Sequence, residues 1–255
     1  MTNGLNIVIM AGGLGKRMNS SLPKVLHKIG GVEMINHVLL KLNVLRKIVN
    51  LEKILIVVGQ YGEQIKEAVE ECNFQMSISY VNQPQALGTG HAIQCCKEEL
   101  LKFPYSDVLI LSGDVPFLSS ITMLNLLKIP NYVRLITTNM SNPDGYGRVI
   151  KLNNIFQKIV EHKDCTTEQL NINTVNCGIY AINSKLLCKY LPYLNNENNQ
   201  KEYYLTDIIE IIKREESVII GTLEVKPENK IEITGVNTIA QLKELEVLFK
   251  KGFNT

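Results

Sequence analysis

The chain has 255 residues, with 27 Lys and Arg against 25 Asp and Glu, so its formal net charge is only +2. That balance excludes a surface built to coat nucleic acid, and no apolar run approaches the ~20 residues of a membrane span. With 45% hydrophobic residues, the composition suits one large α/β domain or two small ones, with a core that needs no disulfide or metal staples.

In chain order, the opening "MTNGLN" has no basic stretch leading into an apolar one. No signal peptide is expected, and the cytoplasm is the default location. "LNIVIM" reads as a short buried strand. "MINHVLLKLNVLRKIV" carries apolar residues at Met34, Val38, Leu42, Leu45 and Val49, which is helical spacing. "KILIVVG" predicts a second strand, "EQIKEAVEEC" a helix, and "MSISYV" a third strand. "GTGHAIQCCKEELLK" starts as a glycine turn, with Thr89 as its cap, and continues as one helix. "DVLILSGDVP" is a fourth strand, ended by Gly113 and Pro116. Such alternation implies a mainly parallel sheet covered on both faces.

The second half has another texture. "GYGRVIKLNNIFQKIVEHKD" predicts two strands joined by an Asn-Asn turn, and "TVNCGIYAI" a further strand. "LNNENNQKE" reads as an exposed loop without functional content. "EYYLTDIIEIIKREE" predicts a helix, "SVIIGTLEV" a late strand, and "IAQLKELEVLFKKG" a closing helix stopped by Gly252. There is no internal repeat.

The six cysteines (72, 95, 96, 165, 177 and 188) form no C-x-x-C pair. His91 and Cys95 share a helix face, but reduced thiols, partly in the core, account for the pattern better than a metal site does.

The chemistry starts at "IVIMAGGLGKRMNSSLPKVLHK", Ile7 to Lys28. A glycine turn after a buried strand leaves backbone N–H groups open to a close anion. The dinucleotide fingerprint fails because Met18 takes its third glycine position. The ATPase loop fails because Met10 stands where its first glycine belongs and Arg17 where it needs a hydroxyl. What remains is a glycine turn with Lys16, Arg17 and Lys24 nearby. Cations fixed there suit a triphosphate whose cleavage loads charge onto a leaving pyrophosphate. Taken alone, a tight turn with solvated bases explains the loop equally well.

The loop is one of an ordered set. "AGGLGKRM", "LPKVLH", "QALGTGHA", "LSGDVP", "GYGR", "IVEHKD", "VNCGI", "EYYLTDII" and "GVN" occur in that order between about Ile7 and Phe249. As a set they resemble the sugar-nucleotide pyrophosphorylases, in the form of the uridyltransferase domain of bacterial bifunctional N-acetylglucosamine-1-phosphate uridyltransferases. "IVEHKD" and "EYYLTDII" point to the N-acetylhexosamine branch.

The resemblance implies an α/β fold with a Rossmann-like mixed, mostly parallel sheet flanked by helices, the nucleotide-diphospho-sugar transferase fold. It implies a single nucleotidyltransferase domain over 1–255, with a nucleotide-binding half over about 1–116 and a sugar-binding half over about 117–255. The implied reaction takes UTP and N-acetylglucosamine 1-phosphate to UDP-N-acetylglucosamine and pyrophosphate, with Mg2+ as cofactor. Asp114 and Asn237 match the metal ligands, one carboxylate and one amide oxygen, which suits a cation that keeps its other positions for phosphate and water. Each has a plain alternative: Asp114 as a turn former, Asn237 as a helix cap.

Arg17 and Lys24 match the family's catalytic cations, Arg17 on the outer phosphates and Lys24 on the α-phosphate and the incoming sugar phosphate. Ala11, Gly12, Gly13, Gly15 and Lys16 match the nucleotide loop, and Gln83, Gly88 and Thr89 the uracil reader. Gly147, Glu161, Asn176, Tyr204 and Thr206 match the sugar-contacting positions. For Tyr204, packing on an amphipathic helix stands as an equal reading, and for Glu161, a strand-edge charge.

Three positions depart from the pattern. Leu14 stands where many relatives carry lysine, Lys16 where many carry a small hydroxyl residue, and Cys177 where threonine is usual beside the sugar asparagine. The isoleucine-rich hexapeptide repeat of the bifunctional enzymes is absent from these 255 residues. The acetyltransferase activity and the family trimer are therefore not expected; a monomer or a dimer is. Two further readings compete: the same chemistry on another sugar phosphate, such as glucose 1-phosphate, and a non-catalytic sugar-nucleotide sensor.

Overall fold

The computed structural model describes residues 4–13 and 15–252; of Lys16 it describes the backbone alone. Leu14 and the Lys16 side chain therefore lie outside the described residues. In the first half, apolar runs broken by glycine become β1 (Leu5–Met10), β2 (Lys28–Ile29), β3 (Val32–Glu33), α1 (Met34–Leu45), β4 (Leu51–Val58), α2 (Gly62–Glu70), β5 (Ile78–Asn82), α3 (Thr89–Cys95), α4 (Lys97–Leu100) and β6 (Asp107–Ser112). The single helix expected from Gly88 onward is interrupted at Cys96, so the segment makes two short helices.

The second half adds α5 (Ser120–Leu127), β7 (Val133–Asn139), β8 (Arg148–Leu152), β9 (Ile155–Val160), α6 (Thr167–Leu170), β10 (Thr174–Asn183), α7 (Ser184–Tyr190), α8 (Leu205–Glu216), β11 (Ile220–Val225) and α9 (Ile239–Lys250). The Asn153-Asn154 turn between β8 and β9 has both residues at positive φ, the backbone that a tight hairpin demands. Helix α8 starts only at Leu205, so Tyr204 precedes the helix rather than packing on it.

The nine-stranded sheet runs β11-β7-β10-β6-β1-β4-β5, with the β8–β9 hairpin attached to β10. Strands β6, β1, β4 and β5 are parallel, and β10 runs antiparallel between β6 and β7. This is the mixed, mostly parallel arrangement expected. Both faces are dry. Ile7, Ile9, Ile56 and Leu111 pack with Leu39 and Leu42 of α1 on one side. Val8, Val57, Val108 and Ile110 pack with Ile93, Leu187 and Ile209 on the other. Adjacent strand residues are thus buried on opposite faces, which explains continuous apolar runs instead of polar alternation. Each such side chain contributes roughly 1.5–3 kcal/mol of burial.

A third cluster joins the two ends of the chain. Met18, Ile29 and Met34 pack with Val236 and Leu245. Phe249 of α9 stacks on Phe117 at 6.0 Å between ring centroids, and Glu246 accepts from the Gly30 N–H at 2.8 Å. Helix α9 is thereby fixed beside the first loop, which carries Asn237 to the ends of β1 and β6.

Candidate nucleotide and sugar site

In an open α/β sheet, ligands bind outside the carboxyl ends of the strands, where neighbouring connections diverge. Strand β1 lies between β4 and β6, and its carboxyl end opens a cleft of about 560 Å³. Of the residues expected to bind nucleotide, Ala11, Gly12, Gly13, Gly15, Gln83, Gly88 and Thr89 all line it, together with Arg17, Lys24, Asp114 and Asn237. The structure therefore brings the cationic, base-reading and metal-ligand candidates into one space.

The cationic end is built from three distant segments. Lys24 stands on a single helical turn anchored by the buried Val25 and Leu26. Its ammonium forms an ion pair with Asp114 Oδ2 and donates to Asn237 Oδ1 at 3.1 Å. Arg17 donates to the same Asn237 oxygen at 3.0 Å. Asp114 Oδ1 accepts from the Ser112 hydroxyl at 2.6 Å, and its backbone carbonyl accepts from the Val236 N–H at 2.9 Å. The Asp114 and Asn237 oxygens thus converge on one cation. Asn237 is not a helix cap: Thr238 caps α9 in a capping box with Gln241, which leaves the Asn237 side chain free for the cleft. Asp114, 9% exposed, is more than a turn former.

Where the candidate base readers lie, Gln83 is buried and its Nε2 donates to the Gly88 carbonyl at 3.1 Å. Gly88 has φ of +108°, and a Cβ there would lie 2.6 Å from the Tyr203 carbonyl oxygen, so glycine is required. Thr89 corrects the expected cap. Gly88 is the N-cap of α3, and the Thr89 hydroxyl instead accepts from the Leu205 N–H at 3.1 Å, at the start of α8. One side chain ties the turn at 88–90 to the start of α8.

The sugar candidates form a neighbouring cluster. Thr206 donates to Glu161 Oε1 at 2.9 Å. A Cβ on Gly147 would approach Glu161 Oε2 to 3.4 Å, and the Gly147 carbonyl accepts from the Asn176 N–H at 2.9 Å. The β10–β7 register shifts between Asn176 and Tyr180, with Gly178 at φ of +71°; such a bulge re-aims side chains. Asn176 donates from Nδ2 to the Tyr180 hydroxyl at 2.6 Å and accepts from the Gly178 N–H at 3.2 Å. Glu161 is no strand-edge charge. Burial pushes its carboxyl above the ordinary value, and Asp164 and Glu202 push the same way against the Thr206 hydrogen bond. Burial also raises Asp207, to about 6, with Glu161, Glu210 and Asp164 adding to the rise. The Tyr204 hydroxyl is engaged elsewhere: it donates to Asp164 Oδ2 and accepts from Gln200, each at 3.0 Å.

Sequence reasoning missed four participants. Ser112 supports Asp114, His91 contacts Gln83, Glu202 lines the cleft, and Asp207 faces Glu161. Glu202 ends the loop read as functionless, which is a correction. The structural reason is that Tyr203 exchanges backbone hydrogen bonds with Leu87 and Gly90, which fastens the end of the loop to the "LGTG" turn. All six cysteines are free thiols, and His91 Nε2 lies 3.9 Å from Cys95 Sγ. Among the described residues, no group of three or more His, Cys, Asp or Glu could hold a metal, and no helix is long and apolar enough to cross a membrane.

A mixed, mostly parallel sheet whose strand ends carry a glycine turn, two cations and converging carboxylate and amide oxygens defines the class of nucleotide-handling α/β proteins. Comparison with known proteins narrows this class. The model of the MobA-like NTP transferase domain matches residues 7–132. The "Bifunctional protein GlmU" of Clostridium botulinum strain 657 is 42% identical over 97% of this chain; the chain spans about half, 52%, of that relative's length. A protein of Acanthamoeba polyphaga mimivirus, named as a probable UDP-N-acetylglucosamine pyrophosphorylase, is 41% identical over 98% of both chains. Among solved structures, a Bacillus anthracis protein assigned as a glucose-1-phosphate thymidylyltransferase superposes with a TM-score of 0.74 at 20% identity, covering 98% of this chain and 97% of its own. That likeness establishes the nucleotide-diphospho-sugar transferase fold. The chain belongs to the sugar-nucleotide pyrophosphorylase family.

Proposed function

We propose that the chain transfers a uridylyl group from UTP to N-acetylglucosamine 1-phosphate, giving UDP-N-acetylglucosamine and pyrophosphate. The observation that carries this reading is the meeting of Arg17, Lys24, Asp114 and Asn237 in the cleft that Gln83 and Gly88 also line. The names of the relatives that match nearly the whole chain support the same substrates.

The reaction needs little covalent help. A phosphate oxygen of the sugar phosphate attacks the α-phosphorus of UTP; the bond from that phosphorus to the bridging oxygen breaks, and pyrophosphate leaves with the electron pair. The attacking phosphate has its second pKa near ~6 and is already an anion, so no general base is required. The chain's task is to hold two anions in line. Arg17 grips the outer phosphates. Lys24 exchanges Asp114 for a phosphate oxygen and draws the incoming anion to the α-phosphate. The glycine turn at 11–15 offers backbone N–H groups, with the Lys16 side chain as a further cation from the sequence alone. The donors fit a divalent metal: one carboxylate and one amide oxygen already share a cation in Lys24. Magnesium held by Asp114 and Asn237 would offset the repulsion between phosphates and polarise the phosphorus.

In the sugar half, Glu161, Asn176 and Thr206 offer acceptors and donors for ring hydroxyls, with Gly147 leaving room and Tyr204 bracing the 161–164 turn. Cys177 follows Asn176 in the chain but packs in the core cluster of the α1 side, away from the face that holds Tyr180, the Asn176 partner. The division into a nucleotide half over about 1–116 and a sugar half over about 117–255 belongs to the same reading, as does action as a monomer or dimer in the cytoplasm.

The test is pyrophosphate release with magnesium and UTP, comparing N-acetylglucosamine 1-phosphate with glucose 1-phosphate and glucosamine 1-phosphate. Release with the acetylated sugar is expected. Preference for another sugar keeps the chemistry and overturns the substrate. Tight binding of sugar nucleotide with no release from any pair leaves a sensor.

A further inference from the structure

The residue that faces Gln83 from behind is His91, on the first turn of α3. Gln83 Nε2 carries two hydrogens and meets two acceptors: the Gly88 carbonyl at 3.1 Å and His91 Nδ1 at 3.2 Å. With Gln83 in this orientation the second bond runs from Nε2–H to the lone pair of His91 Nδ1, and the other ring nitrogen, Nε2, lies 3.9 Å from Cys95 Sγ. With Nε2 of Gln83 so committed, its Oε1 is left at the cleft wall, where a Cβ on Gly12 would lie 3.0 Å away. Among the described residues no hydrogen bond goes to that oxygen.

A carboxamide that flips exchanges an acceptor for a donor. At this position the exchange decides the base. Uracil presents an N3–H donor, which needs an acceptor such as Oε1. Cytosine presents a bare N3, which needs the amide N–H. A flipped Gln83 would set its oxygen against the Gly88 carbonyl in a buried place, and would meet the His91 lone pair as well unless the ring also moved its proton from Nε2 to Nδ1. We propose that His91 is a positioning residue for base selection: it locks the Gln83 carboxamide with its oxygen toward the base, so that a pyrimidine carrying a hydrogen on N3 is accepted and one without it is refused. The Gly88 carbonyl holds one amide hydrogen and disfavours the flip by itself; His91 holds the second hydrogen and deepens that preference.

This inference rests on the uridylyl-transfer reading. The experiment is the ratio of kcat/KM for UTP to that for CTP, at fixed sugar phosphate, in wild type, His91→Leu and His91→Asn. Circular dichroism confirms that each variant is folded. Leucine fills the ring's space without an acceptor; asparagine restores an acceptor near the Nδ1 position. His91→Leu is expected to lower the UTP:CTP ratio by about tenfold or more, the factor one hydrogen bond of ordinary net worth sets, with an absolute gain for CTP. His91→Asn is expected to keep most of the wild-type ratio. Affinities for UDP and CDP by calorimetry should follow the same order. A parallel fall for both nucleotides in His91→Leu, or an unchanged ratio, overturns the proposal, since a merely structural residue gives that pattern. Wild type that does not prefer UTP overturns the base reading of Gln83 itself, and this proposal with it.

Discussion

Asp207 gives the most quantitative test of how the carboxylate cluster around Glu161 is built. It lies half-buried in the first turn of α8, facing Glu161, Glu210 and Asp164, and burial raises its pKa from 3.8 to about 6. A raised carboxyl holds its proton more tightly when folded, so the folded state is penalised once pH exceeds the folded value. The penalty is absent below pH 3.8, grows until about pH 6, and is constant above. A rise of about two pH units is worth at most roughly 3 kcal/mol, and solvent screening at a half-buried site cuts this to about 1.5 kcal/mol. Asp207→Asn removes that cost but also loses the favourable charge at a helix N-terminus, worth about 0.5 kcal/mol. The net expectation is about 1 kcal/mol of added stability at pH 8 and almost none at pH 4. Urea unfolding at the two pH values measures it. A loss of stability at pH 8, or an equal gain at both, refutes the reasoning.

Three substitutions probe the cleft. Asp114→Ala should leave the circular dichroism intact and lower magnesium-dependent turnover by about a hundredfold or more; near-normal rates would remove the metal assignment. Lys24→Ala should lower kcat more than it raises KM for UTP, since its charge is needed where two anions approach; the reverse pattern makes it a binding residue. Gly88→Ala places a methyl 2.6 Å from a backbone oxygen at φ of +108° and should cost about 2–3 kcal/mol in unfolding free energy and weaken UTP binding with it. Full stability in that variant would mean that the Tyr203 segment yields easily.

The parallel half of the fold was legible because its strands are buried on both faces and therefore spell continuous apolar runs. Strand β7, "VRLITTN", escaped because Arg134 lies within it; the charge is buried through its pairing with Asp107 at 2.7 Å and its hydrogen bonds to the Leu127, Ile129 and Ala181 carbonyls, partners that lie outside the strand. Helices α5 and α7 are too short to display a period. At the site, the glycine turn and Arg17 were visible as chemistry, but Asp114 and Asn237 stood out only through the family resemblance, because each also fits a local turn or cap. The hydrogen bonds decide between those readings: Thr238 takes the cap, and Asn237 goes to the cleft. Ser112, His91 and Asp207 escaped because their partners lie across a turn or on another element.

On the proposed reading, the electrostatics of the two neighbouring clusters would orient a molecule with a phosphate end and a sugar end. Arg17 and Lys24 gather at the β1 loop, while Glu161, Asp164, Glu202 and Asp207 gather where β9 meets α8. A phosphate near the carboxylates would be repelled, and a neutral sugar near the cations would leave them poorly paired. A sugar hydroxyl, in contrast, donates well to a carboxylate in a partly buried site. The reversed pose therefore loses at both ends. That loss discriminates between orientations more strongly than the attraction at either end alone. The raised pKa values of Glu161 and Asp207 come first from burial and then from the carboxylates around them, with the Thr206 hydroxyl bonded to Glu161; on the proposed reading, sugar hydroxyls are the donors this cluster would take.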